Sequence, residues 1–278
     1  MRSKVSIITV VYNDVRNIEK SIQNTLSQTY HPLELIVVDG ASTDGTVDVI
    51  KKYDKYIKWI SEPDKGIYDA MNKGCQMATG DWVLFHNCGD FFISKDSVKD
   101  FFSNVSDSDE ATFLIGDIFL FNEYGYKENR PNILNGTIFE GMPVNHPATF
   151  NRTTWQKKHP FNIGFRNSGD YDFYVKSFLE GATYKYINIK LVLMDQRSGA
   201  TVDNRQLRLK ENMKILIDYN APIRLVNILR KQIIFQSIID ALLKIVPFLS
   251  IISKYRRKFN YSKNGWIKAD IYNLLDNI

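Results

Sequence analysis

The sequence predicts an α/β fold, a mixed sheet flanked by helices with a helical appendage at the C-terminal end. Three observations carry this. Over the first hundred residues, short apolar β-branched runs alternate with segments of helical periodicity. The strand-like runs end in clusters of Asn, Asp and Gly, the residues of tight turns. The charge balance breaks near Asn220-Ala221-Pro222: residues 1–220 hold 26 basic and 28 acidic residues, residues 221–278 hold 10 and 3. With 278 residues, 44% of them hydrophobic and 24% charged, the chain can bury a sizeable core and is neither disordered, collagen-like nor a disulfide scaffold.

The elements follow in order. Val5–Tyr12 is apolar and β-branched, a first strand, and Asn13-Asp14 end it. Val5–Val11 is too short for a secretory signal and no small-residue cleavage site follows it. Val15, Ile18, Ile22 and Leu26 recur at helical spacing. Leu35–Val38 is the second strand, closed by Asp39-Gly40, and Ser42-Thr43-Asp44 can cap a helix carrying Val47, Ile50 and Tyr53 on one face. Lys58–Ile60 is a third strand. Ile67, Ala70, Met71, Cys75 and Ala78 line a helix that Gly80 stops, and Trp82–Phe85 is the fourth strand. Strands separated by helices imply right-handed crossovers and parallel pairing, with ligands at the carboxyl ends of the strands. Further on, Thr112–Phe121, Ala148–Phe150 and Tyr184–Met194 read as strands; Tyr171–Leu179, ended by Gly181, and Leu207–Tyr219 read as helices.

Three strand ends share one sheet edge: Tyr12-Asn13-Asp14, Asp39-Gly40-Ala41-Ser42 and His86-Asn87-Cys88-Gly89-Asp90. Each alone is a turn; three in register, each with a carboxylate, make a pocket. No G-x-G-x-x-G follows the first strand and no G-x-x-x-x-G-K-[ST] is present, which argues against a dinucleotide cofactor and a P-loop ATPase. Cys75 and Cys88 support neither a disulfide framework nor a zinc site, so a reducing, cytoplasmic compartment is expected, and the four N-x-S/T triplets at Asn104, Asn135, Asn151 and Asn260 carry little weight.

The run Val5–Asn13, then Ser27-Gln28-Thr29-Tyr30, Glu34–Thr46, Glu62–Gly74 and Ala78–Trp82 resembles the start of a family 2 glycosyltransferase, and the likeness returns at Gly169-Asp170-Tyr171-Asp172. The resemblance implies a GT-A-type, Rossmann-like mixed sheet over residues 1–220, a nucleotide-diphospho-sugar donor and transfer with inversion. It places Thr9, Tyr12 and Asn13 around the nucleotide, Asp39 on the base, Asp69 beside base and ribose with Asn72 and Lys73 in the same wall, and Asn87 on ribose or phosphate. The chemistry agrees: a carboxylate accepts the N–H groups of a base edge and Tyr12 offers a stacking face. The plain alternative for Asp69 and Lys73 is an i,i+4 ion pair on a solvated helix, with Lys65 on the same face. The acidic D-x-D of the family is reduced here to Asn87-Cys88-Gly89-Asp90, leaving Asp90 as ligand for Mg²⁺ or Mn²⁺, whose shell phosphate oxygens and water can complete.

By resemblance the base that deprotonates the acceptor is Asp170, next to Gly169 where many relatives carry an acid. Alternatively Asp170 is an N-cap and Asp172 the actor. His146, in Asn145–Phe150, and Arg197, in Gln196-Arg197-Ser198-Gly199, are candidates for contacts to acceptor or diphosphate, or else a structural His and a surface Arg. The implied acceptor is a glycan or lipid-linked glycan of cell-surface polysaccharide biosynthesis. A nucleotidyltransferase would need a Gly-rich basic loop after the first strand, which is missing, and a catalytically impaired sugar-nucleotide-binding relative is the other alternative. The near-neutral first 220 residues exclude nucleic acid as a natural partner. Ile228–Ile252 is apolar in bulk but interrupted by Asp240, Lys244 and Pro247, so it is a poor membrane span. With Lys254, Arg256, Arg257 and Lys258 beyond it, residues 221–278 suit the inner face of a cell membrane, or packing on the chain's own domain or a second subunit of a homo-oligomer.

Overall fold

The computed structural model describes residues 2–106, 109–122, 125–196, 204–245 and 266–267. The elements run β1 (Val5–Val11), α1 (Ile18–Leu26), β2 (Leu33–Asp39), α2 (Thr46–Lys51), β3 (Lys58–Ser61), α3 (Ile67–Met77), β4 (Trp82–Phe85), β5 (Phe91–Phe92), α4 (Ser97–Phe102), β6 (Phe113–Asn122), β7 (Gly125–Asn129), β8 (Thr149–Arg152), α5 (Thr153–Lys158), α6 (Gly169–Leu179), β9 (Tyr184–Asp195), α7 (Arg205–Asp218) and α8 (Ile223–Ile245). They form one mixed sheet in the order β3-β2-β1-β4-β8-β6-β9-β5, with β7 paired to β6.

The first four strands pair in parallel, β1 between β2 and β4, as the alternation of strand and helix requires. All seven residues of β1 are buried, the signature of a strand covered on both faces. Ile8 and Val10 join the layer containing α3, α6 and α7; Val5, Ile7 and Val11 join the layer containing α1, α2 and α4. The helix α3 lies hard against the sheet at Gly74, where a Cβ would stand 2.5 Å from Ile8 Cγ2 and 3.1 Å from Val38 Cγ2. Beyond β4 the pairing changes sense: β8 is antiparallel to β4 and β6, while β6 and β9 are parallel.

The helix faces match the spacing, with frayed ends. Ile18 and Ile22 are fully buried, whereas Val15 and Leu26 at the ends of that stripe are exposed. Gly45, not Ser42, precedes α2, and the Asp44 carboxylate accepts the Thr46 N–H at 3.0 Å. Gly181, with φ +91°, follows the end of α6. The short β5, α4, β7 and α5 are additions to the sequence reading. The chain past Asn220 packs back onto the sheet layer through buried Leu225 and Val226, and Arg224 pairs with Glu140 at 2.9 Å. Among the described residues no helix is long and apolar enough to cross a membrane. Most of residues 246–278 lie outside the described residues.

Candidate active site

One side of the candidate site is built at the ends of β1, β2 and β4. The turns after β1 and β2 are cross-laced: Asn13 donates its N–H to Ser42 Oγ at 2.7 Å, Thr43 N–H returns to Asn13 Oδ1 at 2.8 Å, and Val15 N–H reaches Asp44 Oδ2 at 3.0 Å. Asn13 and Ala41 hold left-handed backbone, φ 50° and 64°, at these corners. Tyr12 stands 66% exposed beside Gly40, a free aromatic face. Asp39 is buried beneath; Oδ2 accepts Ser42 N–H at 2.9 Å and Ser61 Oγ at 2.7 Å, while Oδ1 has no partner. An orphaned buried carboxylate oxygen carries a desolvation penalty that a ligand N–H relieves.

Two residues expected around the nucleotide are engaged within the protein. Thr9 is 1% exposed and its hydroxyl donates to the His86 carbonyl at 2.8 Å, joining β1 to the end of β4. Asn72 clamps the Phe161 backbone, accepting its N–H and donating to its carbonyl, both at 2.9 Å. Asp69 accepts the Lys65 N–H at 2.9 Å and stands 3.7 Å from Lys73, the ion pair that helical spacing allows; Lys73 also pairs with Glu62 at 2.8 Å.

At the end of β4, the His86 ring stacks on Phe92 with centroids 4.2 Å apart, and burial depresses its pKa to about 3, so it stays neutral. Cys88 packs against Asp14 and Ser21. Asp90 is buried, and desolvation raises its carboxyl to about 7, with Asp195 adding to the rise. Asn87 Oδ1 is buried without a partner. Among the described residues Asp90 forms no ion pair, and its buried carboxyl, with the unpartnered Asn87 oxygen nearby in sequence, has the hard-oxygen chemistry a divalent ion takes. Among the described residues there is no group of three or more His, Cys, Asp or Glu placed to hold a metal.

The other side of the site is Asp170. Ser168 occupies the N-cap position of α6, so Asp170 sits in the first turn and is not the cap. Its Oδ1 accepts the Tyr68 hydroxyl and the Tyr171 N–H, each at 2.9 Å, and its Oδ2 lies 3.4 Å from His146 Nδ1. Burial pushes the Asp170 carboxyl up; His146, Tyr68 and the Tyr171 amide outweigh that and hold it below the usual carboxylate range. Burial and Asp170 together push the Tyr68 phenol well above its ordinary value, so it remains a donor. Asp172 instead accepts the Tyr219 hydroxyl at 3.0 Å, fastening α6 to α7.

His146 sits in a 3₁₀ turn ringed by Phe85, Phe161 and Tyr174, with Nε2 buried and unpartnered. Asn145 anchors that turn, donating to the carbonyls of Gly116 and Asn129 at 3.0 Å. Three residues escaped the sequence reading. Tyr68 fills the space beside Gly169, where a Cβ would stand 2.7 Å from its ring. Glu211 on α7 accepts the backbone N–H groups of Arg166, Asn167 and Ser168 at 2.8, 2.8 and 2.9 Å, fixing the approach to Asp170. Arg208, one turn earlier, lines a cavity of about 300 Å³ together with Asp170, His146 and Asn145. Arg197 lies outside the described residues.

The mixed sheet, with turns gathered at the ends of β1, β2 and β4 and a supported carboxylate at the wall of a cavity, has the architecture of the GT-A class. The match is direct: residues 6–168 fit the model of glycosyl transferase family 2, and the chain belongs to that family. A relative described as a PGL/p-HBAD biosynthesis glycosyltransferase from Mycobacterium bovis is 24% identical over 199 residues, 70% of this chain and 77% of its own. An uncharacterized glycosyltransferase of Mycobacterium tuberculosis is 38% identical over 96 residues, 34% of this chain and 37% of its own. Among solved structures, S. aureus TarS 1-349 in complex with UDP-GlcNAc aligns with a TM-score of 0.62 at 18% identity, covering 77% of this chain and 66% of that one. The complex of TarS 1-349 with UDP covers 64% of the TarS chain, so this chain spans somewhat less than two thirds of it. The mannosyltransferase PcManGT from Pyrobaculum calidifontis, in complex with GDP-Man and Mn²⁺, aligns with a TM-score of 0.61 at 19% identity, covering 84% and 70%. These likenesses establish the fold.

Proposed function

We propose that the protein transfers one sugar, with inversion, from a nucleotide-diphospho-sugar to a hydroxyl of a glycan or lipid-linked glycan in cell-surface polysaccharide synthesis. The observation that carries this is Asp170: an ionised carboxylate held by Tyr68, His146 and a backbone amide at the wall of a cavity. Asp170 takes the proton of the acceptor hydroxyl as its oxygen bonds to the anomeric carbon; the bond from that carbon to the diphosphate breaks, and the nucleoside diphosphate leaves with the electron pair. Asp39 and the Tyr12 ring hold the base, with uridine the expected one, and Asn13 keeps their turns in place. Asp69 and Lys73 border the base and ribose, and Asn87 serves ribose or phosphate. Asp90 and Asn87 would hold a Mg²⁺ or Mn²⁺ ion, which supplies charge neutralisation to the departing diphosphate.

The test separates the two sides. Asp170→Asn lowers transfer by roughly 10³-fold and leaves nucleotide-sugar affinity within about twofold; lost donor affinity would reassign Asp170. Asp39→Asn weakens UDP binding by about tenfold, and an unchanged affinity, across UDP- and GDP-sugars with and without Mn²⁺, would sink the donor assignment.

The protein works at the inner face of the membrane through residues 221–278. Ile234, Phe235, Ile238 and Leu242 of α8 are exposed, and Arg230 and Lys231 flank them. Sedimentation with anionic vesicles should be lost in the Ile234→Asp, Phe235→Asp double variant; equal sedimentation of both proteins refutes the membrane reading.

A further inference from the structure

Beyond α8, residues 266–267 return to the sheet. Tyr126 donates its N–H to the Ile267 carbonyl at 3.1 Å and accepts the Ile267 N–H at 2.8 Å, an antiparallel bridge. Tyr126 belongs to β7, which pairs with β6 on its other side, so Ile267 adds to the outer edge of the β6–β7 hairpin. A strand edge presents unpaired N–H and C=O groups, and here the chain's own downstream segment takes them.

That hairpin is a wall of the cavity at Asp170. Ile118 and Leu120 of β6, Asn129 at the end of β7, and Met194 and Gln196 at and just past the end of β9 line it. The lining residues alternate along each strand, as the pleat requires. Ile118 pairs with Asn129 and Leu120 with Lys127, so Lys127 shares the cavity-lining face. Tyr126 takes the opposite face, where its ring meets that of Phe119 edge-on with centroids 5.4 Å apart. Ile267, bridged to Tyr126, shares that opposite face. Trp266, one residue along, stands on the cavity-lining face across from Lys127, and it is half-buried. An indole at the rim of such a cavity is a platform for a sugar. Its apolar face covers the C–H side of a pyranose, and the hydroxyls stay free to bond the Asn129 and Gln196 amides.

We propose, resting on the transferase reading above, that Trp266 is a specificity-determining residue for the acceptor: its ring stacks on a pyranose of the acceptor, and the pairing of Ile267 with β7 holds it in place. Two features select this role. The segment is fixed by main-chain bonds to the hairpin that walls the cavity, and the side chain it sends to the cavity-lining face is an indole. A tail that only held the protein to a surface would need neither. The C-terminal region is thereby a part of the acceptor site as well as an appendage to it.

Saturation-transfer NMR of the full chain tests this, with the methyl glycosides of glucose, galactose, mannose and N-acetylglucosamine as probes and with UDP and GDP titrated calorimetrically in parallel. The wild-type protein should bind at least one glycoside. Trp266→Ala should weaken that binding about tenfold, and Trp266→Phe should hold it within about threefold. Ile267→Pro keeps the indole but lacks the N–H given to Tyr126, so it should lose about as much as Trp266→Ala. All three variants should keep UDP affinity within about twofold, because the platform touches only the acceptor. Glycoside binding that is absent in the wild type, or unchanged in Trp266→Ala or in Ile267→Pro, overturns the proposal. So does a parallel loss of glycoside and UDP in Trp266→Ala, which would make the ring a structural support. Wild-type protein that binds a glycoside through Trp266 but neither UDP nor GDP would leave the platform standing and fail the transferase reading instead.

Discussion

The two sides of the site are put together in different ways. The proposed donor side uses the ends of neighbouring parallel strands: β1, β2 and β4 lie side by side, and the corners after β1 and β2 bond to each other across about thirty residues of sequence. The base side is assembled from afar. Asp170 is oriented by Tyr68, 102 positions away, and by His146, and its approach is pinned by Glu211, 43 to 45 positions downstream. A further link, Arg166 Nη1 to the Lys65 carbonyl, ties the base loop to the donor loop. The donor side is therefore a property of the sheet, while the base side is a property of how α3, α6 and α7 close over it.

That contrast predicts which damage stays local. Glu211→Ala removes the acceptor of three backbone amides at a buried position, so a loss of about 3 kcal/mol in stability is expected. Transfer should fall steeply while UDP affinity holds, and a comparable loss of UDP affinity would break the division between the sides. Glu34 is the mirror case on the sheet. It joins Ser6 of β1 (2.6 Å), Lys58 of β3 (2.9 Å) and the Thr79 amide (2.8 Å). Burial raises its pKa, but these bonds outweigh burial and bring it to about 2. The unfolded value is about 4.3, so the stabilisation is fully present above that pH and is lost as pH falls through about 2. Glu34→Gln should therefore cost roughly 2 kcal/mol at neutral pH and flatten the stability curve on the acid side, as read by chemical denaturation; an unaltered curve refutes the assignment. The smallest change concerns His146→Ala. As the proposed base Asp170 must be ionised, and His146 helps keep its pKa low. Without it the acid limb of kcat moves to higher pH, while the limb for donor binding stays in place. A limb that does not move reduces His146 to packing among its aromatic neighbours.

The same contrast decides what was legible in the chain. The strand ends were readable because each is a local event: an apolar run, then Asn, Asp or Gly. The motif around Asp170 was readable because its residues are contiguous. For Thr9 and Asn72 the motif reads as a ligand contact, and only the folded chain reveals that a backbone carbonyl or amide also engages each side chain. Glu211 was hidden for the opposite reason: on a helix as charged as Arg205–Asp218, a carboxylate clamping a distant loop has the same periodicity as a solvated one. Tyr68 sits inside the matched Glu62–Gly74 stretch, yet nothing local says that its hydroxyl points across the molecule to another helix. The two-residue β5 and the six-residue α4 and α5 are too short to display a period.

The fit of Tyr68 against Gly169 has an evolutionary consequence. At Gly169 this chain has no room for even a methyl group, because the Tyr68 ring already occupies the volume. A larger side chain at position 169 alone would expel the ring and take a hydrogen bond away from Asp170; shrinking the ring alone would leave a void and the same lost bond. The pair behaves as a latch with two keys, and a lineage that carries it is expected to keep both residues or to change both.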